Sequence, residues 1–190
     1  ELVPPPDVKD KIVLLKPNIL YPKKPETAVC THPVVVGAAV KAFVDLGAKK
    51  VLVGESPAIA SSVSSAKATG MYDQVINNGG EWIDFTGTLL VKCPTGKTTK
   101  QFEFAQAFEE ADIVVLNTCA IRENAHNKVF GYLGRIKHLK QSKPELIVGV
   151  CGCMAQEEEI ANMLKDKYKW VNIVFGTHNI HMLPVYLKNT

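Results

Sequence analysis

The sequence predicts an α/β fold: an open, mostly parallel sheet with helices on both faces. Three observations lead there. Short unbroken runs of Val, Ile and Leu recur along the 190 residues. Segments with helical spacing separate them, and Gly and Pro mark the turns. A strand that is apolar at every position needs cover on both faces, and the helices between strands supply it. The pattern divides into two α/β units that meet near residues 88–110.

The elements follow in order. After a Pro-rich lead (VPPP), Lys11–Lys16 (KIVLLK) predicts a strand ended by Pro17. His32–Gly47 has helical periodicity, with Pro33 suited to a first turn and Gly47 to a C-terminal cap. KKVLVGES is the next strand, SVSSAKATGMYDQVINNGG a helix ending at Gly79 and Gly80, and EWIDF a third strand. LLVKCPTGKTTKQFEF predicts a hairpin around Pro94–Lys97, and FAQAFEEA a short helix. Strand Asp112–Thr118, a long helix from about Asn124 to Gln141, strand ELIVGVC and helix QEEEIANMLKDKY come next. Strand VNIVFGT and an amphipathic helix from about Asn179 close the pattern.

Composition is ordinary globular, 46% apolar and 22% charged. Residues 1–87 carry nine Lys and nine Asp or Glu, and residues 88–190 carry thirteen Lys or Arg against ten acids, so the net charge is +3. That excess does not diagnose nucleic-acid binding. No apolar run reaches the ~18–20 residues of a membrane span, and no signal peptide is visible. The stretch begins at Glu1 rather than Met, as expected of a processed product or a fragment. Five cysteines lack the regular spacing of a secreted disulfide scaffold, so a reducing cytoplasm is expected.

Ligands of open parallel sheets bind outside the carboxyl ends of the strands. Those ends are Asn18, Glu55–Ser56, Asn117–Cys119, Cys151–Cys153 and Thr177–His178. Cys119 and the Cys151–Gly152–Cys153 run end consecutive strands joined by one helix. If those strands pair, their backbones lie about 4.8 Å apart and the thiols can converge. Such thiolates suit zinc or an iron–sulfur cluster; buried structural cysteines are the other reading. A zinc site would use Cys119, Cys151, Cys153 and His178. No Cys-x-x-Cys supports thiol exchange. PTGKTT (Pro94–Thr99) lacks the first glycine of a phosphate loop, because that position is Val91. The long helix should pack on the sheet through Val129, Leu133, Ile136 and Leu139. Its Lys128, Arg135, Lys137, His138 and Lys140 suit either solvent or an RNA backbone.

Residues from Glu109 to Leu187, through LNTCAIRE, GVCGCMAQ and FGTHNIH, closely resemble the N-terminal domain of radical-SAM methylthiotransferases, nearest the tRNA 2-methylthioadenosine synthases. The resemblance implies a flavodoxin/Rossmann-like fold and an auxiliary [4Fe–4S] cluster held by three cysteines, with one iron open for sulfur delivery. Cys119 matches the second ligand and Cys153 the third. Position 151 is Cys or Gly in the family, so Cys151 is a neighbour or substitute ligand. The family's first ligand, in a YGCQMN-type strand end, has no counterpart here; Cys93, in an unrelated context, is the remaining candidate. The stretch reaches no radical-SAM Cys-x-x-x-Cys-x-x-Cys motif, so S-adenosylmethionine is not expected to bind and the chain is not expected to act alone. An incomplete or labile cluster is expected, with tRNA, the partner of the full-length family, bound weakly or not at all.

Residues from about Lys11 to Phe104 resemble instead an uncharacterised α/β family often joined to ferredoxin-type iron–sulfur modules. VLLKPNIL, AVCTHPVVVGAAVKAFVDLGAKKVLVGESPA and KATGMYDQVINNGGEWIDF carry the likeness. Lys16, Asn18, Thr31 and His32 fall on its recurring polar positions. The expected division is residues 1–88 as that unit, 89–110 as a hairpin and helix junction, and 111–190 as the methylthiotransferase-type unit without its usual first strand and helix. A fusion or fragment carrying the sulfur-donor domain is the leading expectation. A non-catalytic binding module with structural cysteines, or a zinc module, is the alternative.

Overall fold

The computed structural model describes residues 7–57, 61–85, 87–92, 101–118 and 125–177. Six strands form one sheet: β1 (Ile12–Lys16), β2 (Lys50–Gly54), β3 (Glu81–Ile83), β6 (Ile113–Thr118), β7 (Ile147–Gly152) and β8 (Ile173–Phe175). Their order is β3-β2-β1-β6-β7-β8, and β4 (Thr88–Lys92) with β5 (Gln101–Ala105) makes a separate two-stranded sheet. Every pair in the large sheet is parallel. The chain thus winds outward from β1 to β3, crosses back, and winds outward again from β6 to β8. This is a doubly wound, Rossmann-like sheet with its switch point between β1 and β6. There Val13 pairs with Ile113 and Lys16 with Leu116, joining strands from the two resembling segments.

Each strand alternates between two cores. On one face Val13, Leu15, Val51, Val53, Ile113 and Val115 pack under α1 (Pro33–Asp45) and α3 (Met71–Asn77) through Val40, Phe43, Met71 and Val75. On the other, Leu14, Val114, Leu116, Val148 and Val150 meet α5 (Ala125–Ser142) and α6 (Glu158–Lys167) through Leu133, Ile136, Leu139 and Leu164. The predicted α5 stripe is therefore the buried one. Phe104 of the hairpin and Phe108 of α4 (Ala107–Glu110) stack at 4.1 Å on this second face. Phe43 and Phe108 are fully buried, each contributing about 2–3 kcal/mol by burial alone.

Local chemistry explains the boundaries. Pro33 opens α1, and His32 Nδ1 accepts from Val34 N at 3.3 Å. The single helix predicted over 62–80 is two, α2 (Ser62–Ala68) and α3, because Gly70 adopts φ 76° and turns the chain between them. The helix predicted from Phe104 starts later, at Ala107, because Phe104 and Ala105 pair with Leu89 and Thr88 in the hairpin. The turn of that hairpin lies outside the described residues. At the amino edge of the sheet, Asp112 Oδ2 accepts from Ile12 N at 2.9 Å. Lys143 Nζ reaches Asp112 Oδ1 at 3.3 Å and donates to Ala111 O at 2.8 Å, pinning α5 to the start of β6.

Candidate iron–sulfur site at the carboxyl ends of β6 and β7

The two cysteine-bearing strands are direct neighbours, in the register Asn117 to Cys151 and Thr118 to Gly152. Thr118 grips the second strand on both sides of Gly152. Its hydroxyl donates to Cys151 O at 2.7 Å in a buried bond, and its carbonyl accepts from Cys153 N at 3.1 Å. Gly152 permits this with φ 101°. A Cβ there would sit 2.3 Å from Thr118 O and 2.8 Å from Thr118 N, so no larger residue fits without parting the strands. The backbone of Cys153 is thereby tied to Thr118, the last described residue of β6.

The cysteines of the CGC run occupy different surroundings. Cys151 is buried in the core under α1, and burial pushes its thiol up to about 12. It also lines a small apolar cavity with Leu15, Val35, Val36, Val115 and Phe175. At neutral pH it is a protonated, enclosed thiol. Cys153 is half-buried and opens a short 3-10 turn, Met154–Gln156, whose Met154 and Ala155 are buried. Cys119, Cys93 and His178 lie outside the described residues, as does PTGKTT. Among the described residues no group of three His, Cys, Asp or Glu is placed to hold a metal ion. Cys153 is an accessible soft donor at a strand end, a setting that fits one ligand of an iron–sulfur cluster.

Other predicted positions serve closure. Asn18 N donates to Thr31 Oγ1 at 2.9 Å and Thr31 N returns to Asn18 O at 2.9 Å, tying the loop before α1, while His32 caps that helix. On α5, Lys140 Nζ donates to Leu146 O at 2.5 Å and to Asn172 Oδ1 at 3.2 Å, so it is engaged in packing. Burial lowers its pKa. Arg135 and Lys137 are exposed. No helix among the described residues is long and apolar enough to cross a membrane.

Sequence reasoning marked Lys16 and the Glu55–Ser56 strand end separately, without relating them. Lys16 Nζ and Glu55 Oε2 lie 2.5 Å apart, with side chains only 12% and 7% exposed. Lys16 Nζ also sits 4.9 Å from the ring centre of Tyr132 on α5. Thirty-nine positions separate the two charges, so only the pairing of β1 with β2 brings them together.

Comparison with known proteins gives these strand ends a context. The description "Domain of unknown function (DUF362)" matches residues 13–126, more than half of the chain. The chain belongs to the DUF362 family. Residues 96–176 also match "Uncharacterized protein family UPF0004". The two DUF362 and UPF0004 matches overlap across β6, the strand that pairs with β1 on one side and β7 on the other. Curated relatives are similar over part of their length. The tRNA-2-methylthio-N(6)-dimethylallyladenosine synthase of Bacillus cytotoxicus is 58% identical over 92 residues, 48% of this chain. The protein of that name from Bacillus mycoides is 59% identical over 92 residues, and that of Shouchella clausii 58% over 88, 46% of this chain. The chain spans 18%, 18% and 17% of the lengths of these three relatives.

Proposed function

We propose that this DUF362-family chain carries, in its second half, the auxiliary iron–sulfur, sulfur-donating unit of a radical-SAM tRNA methylthiotransferase, with Cys119 and Cys153 as cluster ligands. The observation that supports the reading is the double grip of Thr118 on the CGC run, which fixes Cys153 at the end of β7 against the last described residue of β6, the one before Cys119 in the sequence. The similarity to tRNA-2-methylthio-N(6)-dimethylallyladenosine synthases supports the same reading. Bound there, a [4Fe–4S] cluster with an open iron would supply a place for the sulfur to be transferred. The chain's own part is to hold thiolates at adjacent strand ends and keep Cys151 out of the ligand set by burying it. Cys93 or an external thiolate is the remaining ligand. The division into residues 1–88, 89–110 and 111–190 belongs to this reading, as does a cytoplasmic setting with tRNA as the distant partner of the complete enzyme. The burial of Cys151 weighs against the four-ligand zinc set, because its side chain packs in the apolar core under α1 while Cys153 is half-buried at the strand end.

Anaerobic reconstitution with iron and sulfide tests the proposal. A labile or substoichiometric cluster is expected, lost in Cys153→Ala and retained in Cys151→Ala. Robust four-iron binding in Cys153→Ala would overturn it.

A further inference from the structure

We propose that the cavity under α1 is a binding site for a small ligand with a short branched aliphatic group and an uncharged, hydrogen-bonding head. The cavity measures about 40 Å³, and its floor comes from the carboxyl ends of four adjacent strands. Leu15 of β1, Val115 of β6, Cys151 of β7 and Phe175 of β8 form that floor, and Val35 and Ala39 of α1 cover it. It therefore lies at the switch point between β1 and β6, where open parallel sheets take their ligands. Protein interiors have few voids larger than a water molecule. This one is several times larger, since a water-sized sphere needs about 10–15 Å³. The site uses neither Cys119 nor Cys153, so it stands apart from the cluster reading.

The chemistry of the walls selects the occupant. A buried water needs about two to four polar partners, whereas these walls are aliphatic and aromatic, with a Cys thiol that behaves as a small hydrophobe. They favour a hydrocarbon group, and the volume takes about three carbon-sized atoms, an isopropyl group. A phenyl ring is too large. Two polar residues of the lining, Thr31 and Asn117, are only half-buried and suit the head. The Thr31 hydroxyl accepts from Asn18 N at 2.9 Å and keeps its proton to donate, and the Asn117 amide both donates and accepts. Among the described lining residues only Lys16 is charged, and its ammonium is paired with Glu55, so an ionised head meets no unmatched charge. The mouth is preformed. Thr31 N returns a bond to Asn18 O at 2.9 Å and Ile19 bridges to Cys30, fastening both ends of the connection from β1 to α1.

The test uses the full chain with labelled methyl groups and follows the signals of Leu15, Val35, Ala39 and Val115 by NMR. The probe is isobutanol, against sodium isobutyrate for charge, ethylene glycol for polarity and benzyl alcohol for size. Isobutanol is expected to shift those methyl signals saturably, with a Kd on the order of 1 mM, and each control to bind about tenfold more weakly or not at all. Ala39→Leu fills the cavity and should weaken isobutanol binding about tenfold or more. Val35→Ala, a milder change that keeps the protein folded if Ala39→Leu does not, widens the cavity and should bind isoamyl alcohol more tightly than the parent does. Four results would each overturn the proposal: no saturable shift with isobutanol, a control binding as tightly as isobutanol, a folded Ala39→Leu protein binding isobutanol as the parent does, or no gain for isoamyl alcohol in Val35→Ala.

Discussion

Replacing Gly152 by Ala is the sharpest perturbation of the β6–β7 edge. The residue sits at φ 101°, where an L side chain adds about 1–2 kcal/mol of backbone strain. The new Cβ would stand 2.3 Å from Thr118 O and 2.8 Å from Asn117 Oδ1. The strands must part to relieve that contact, and the Cys153 N to Thr118 O bond goes with it, a further loss of about 1 kcal/mol. The total is about 3 kcal/mol, a large share of a stability of about 5–15 kcal/mol. For a chain of this size that lowers Tm by about 9 °C. Gly134→Ala is the matched control, since a Cβ there meets nothing within 4 Å and α5 gains helix propensity. It should raise Tm by about 3 °C. Thermal unfolding by circular dichroism reads both. A Gly152→Ala protein melting within about a degree of the parent would refute the reasoning.

Thr118→Val keeps the shape of the side chain but leaves Cys151 O without its buried donor, and chemical denaturation should show a loss of about 1–2 kcal/mol. Cys151 should resist alkylation by iodoacetamide at neutral pH in the folded protein while the half-buried Cys153 reacts, as peptide mapping would show. Burial raises the Asp112 pKa, but the Ile12 amide and Lys143 outweigh it, and the net shift is downward. A depressed carboxylate stabilises the fold above its unfolded pKa, and that contribution is lost as pH falls through the folded value. Asp112→Asn should therefore flatten the acid limb of a stability–pH profile.

The sequence was informative wherever the physics is local. Unbroken apolar runs marked the strands, and the 3.6-residue period marked the face of α5 through Leu133, Ile136 and Leu139. The hairpin was legible from its turn residues. Features set by a single dihedral or by distant pairing were less so. The break at Gly70 depends on a left-handed conformation that helical periodicity on both sides conceals. The start of α4 depends on which residues β4 claims. At the site, strand-end reasoning pointed to the end of β7 where Cys151 and Cys153 lie, yet the contrast between the two needed the path of the chain. Cys151 follows the face of Val13 and Val115 into the core, and the turn at Gly152 releases Cys153 from it. The Lys16–Glu55 pair was out of reach because only the register of β1 on β2 aligns its ends.

The central claim is that Cys119 and Cys153 meet at the ends of β6 and β7. Mild oxidation of the metal-free protein with diamide, followed by peptide mass mapping, tests it directly, since a disulfide requires Cα atoms within about 4.4–6.8 Å. The account predicts a Cys119–Cys153 disulfide as the dominant product, with Cys151 left as a free thiol. Absence of that crosslink, or its replacement by one through Cys151, would contradict it.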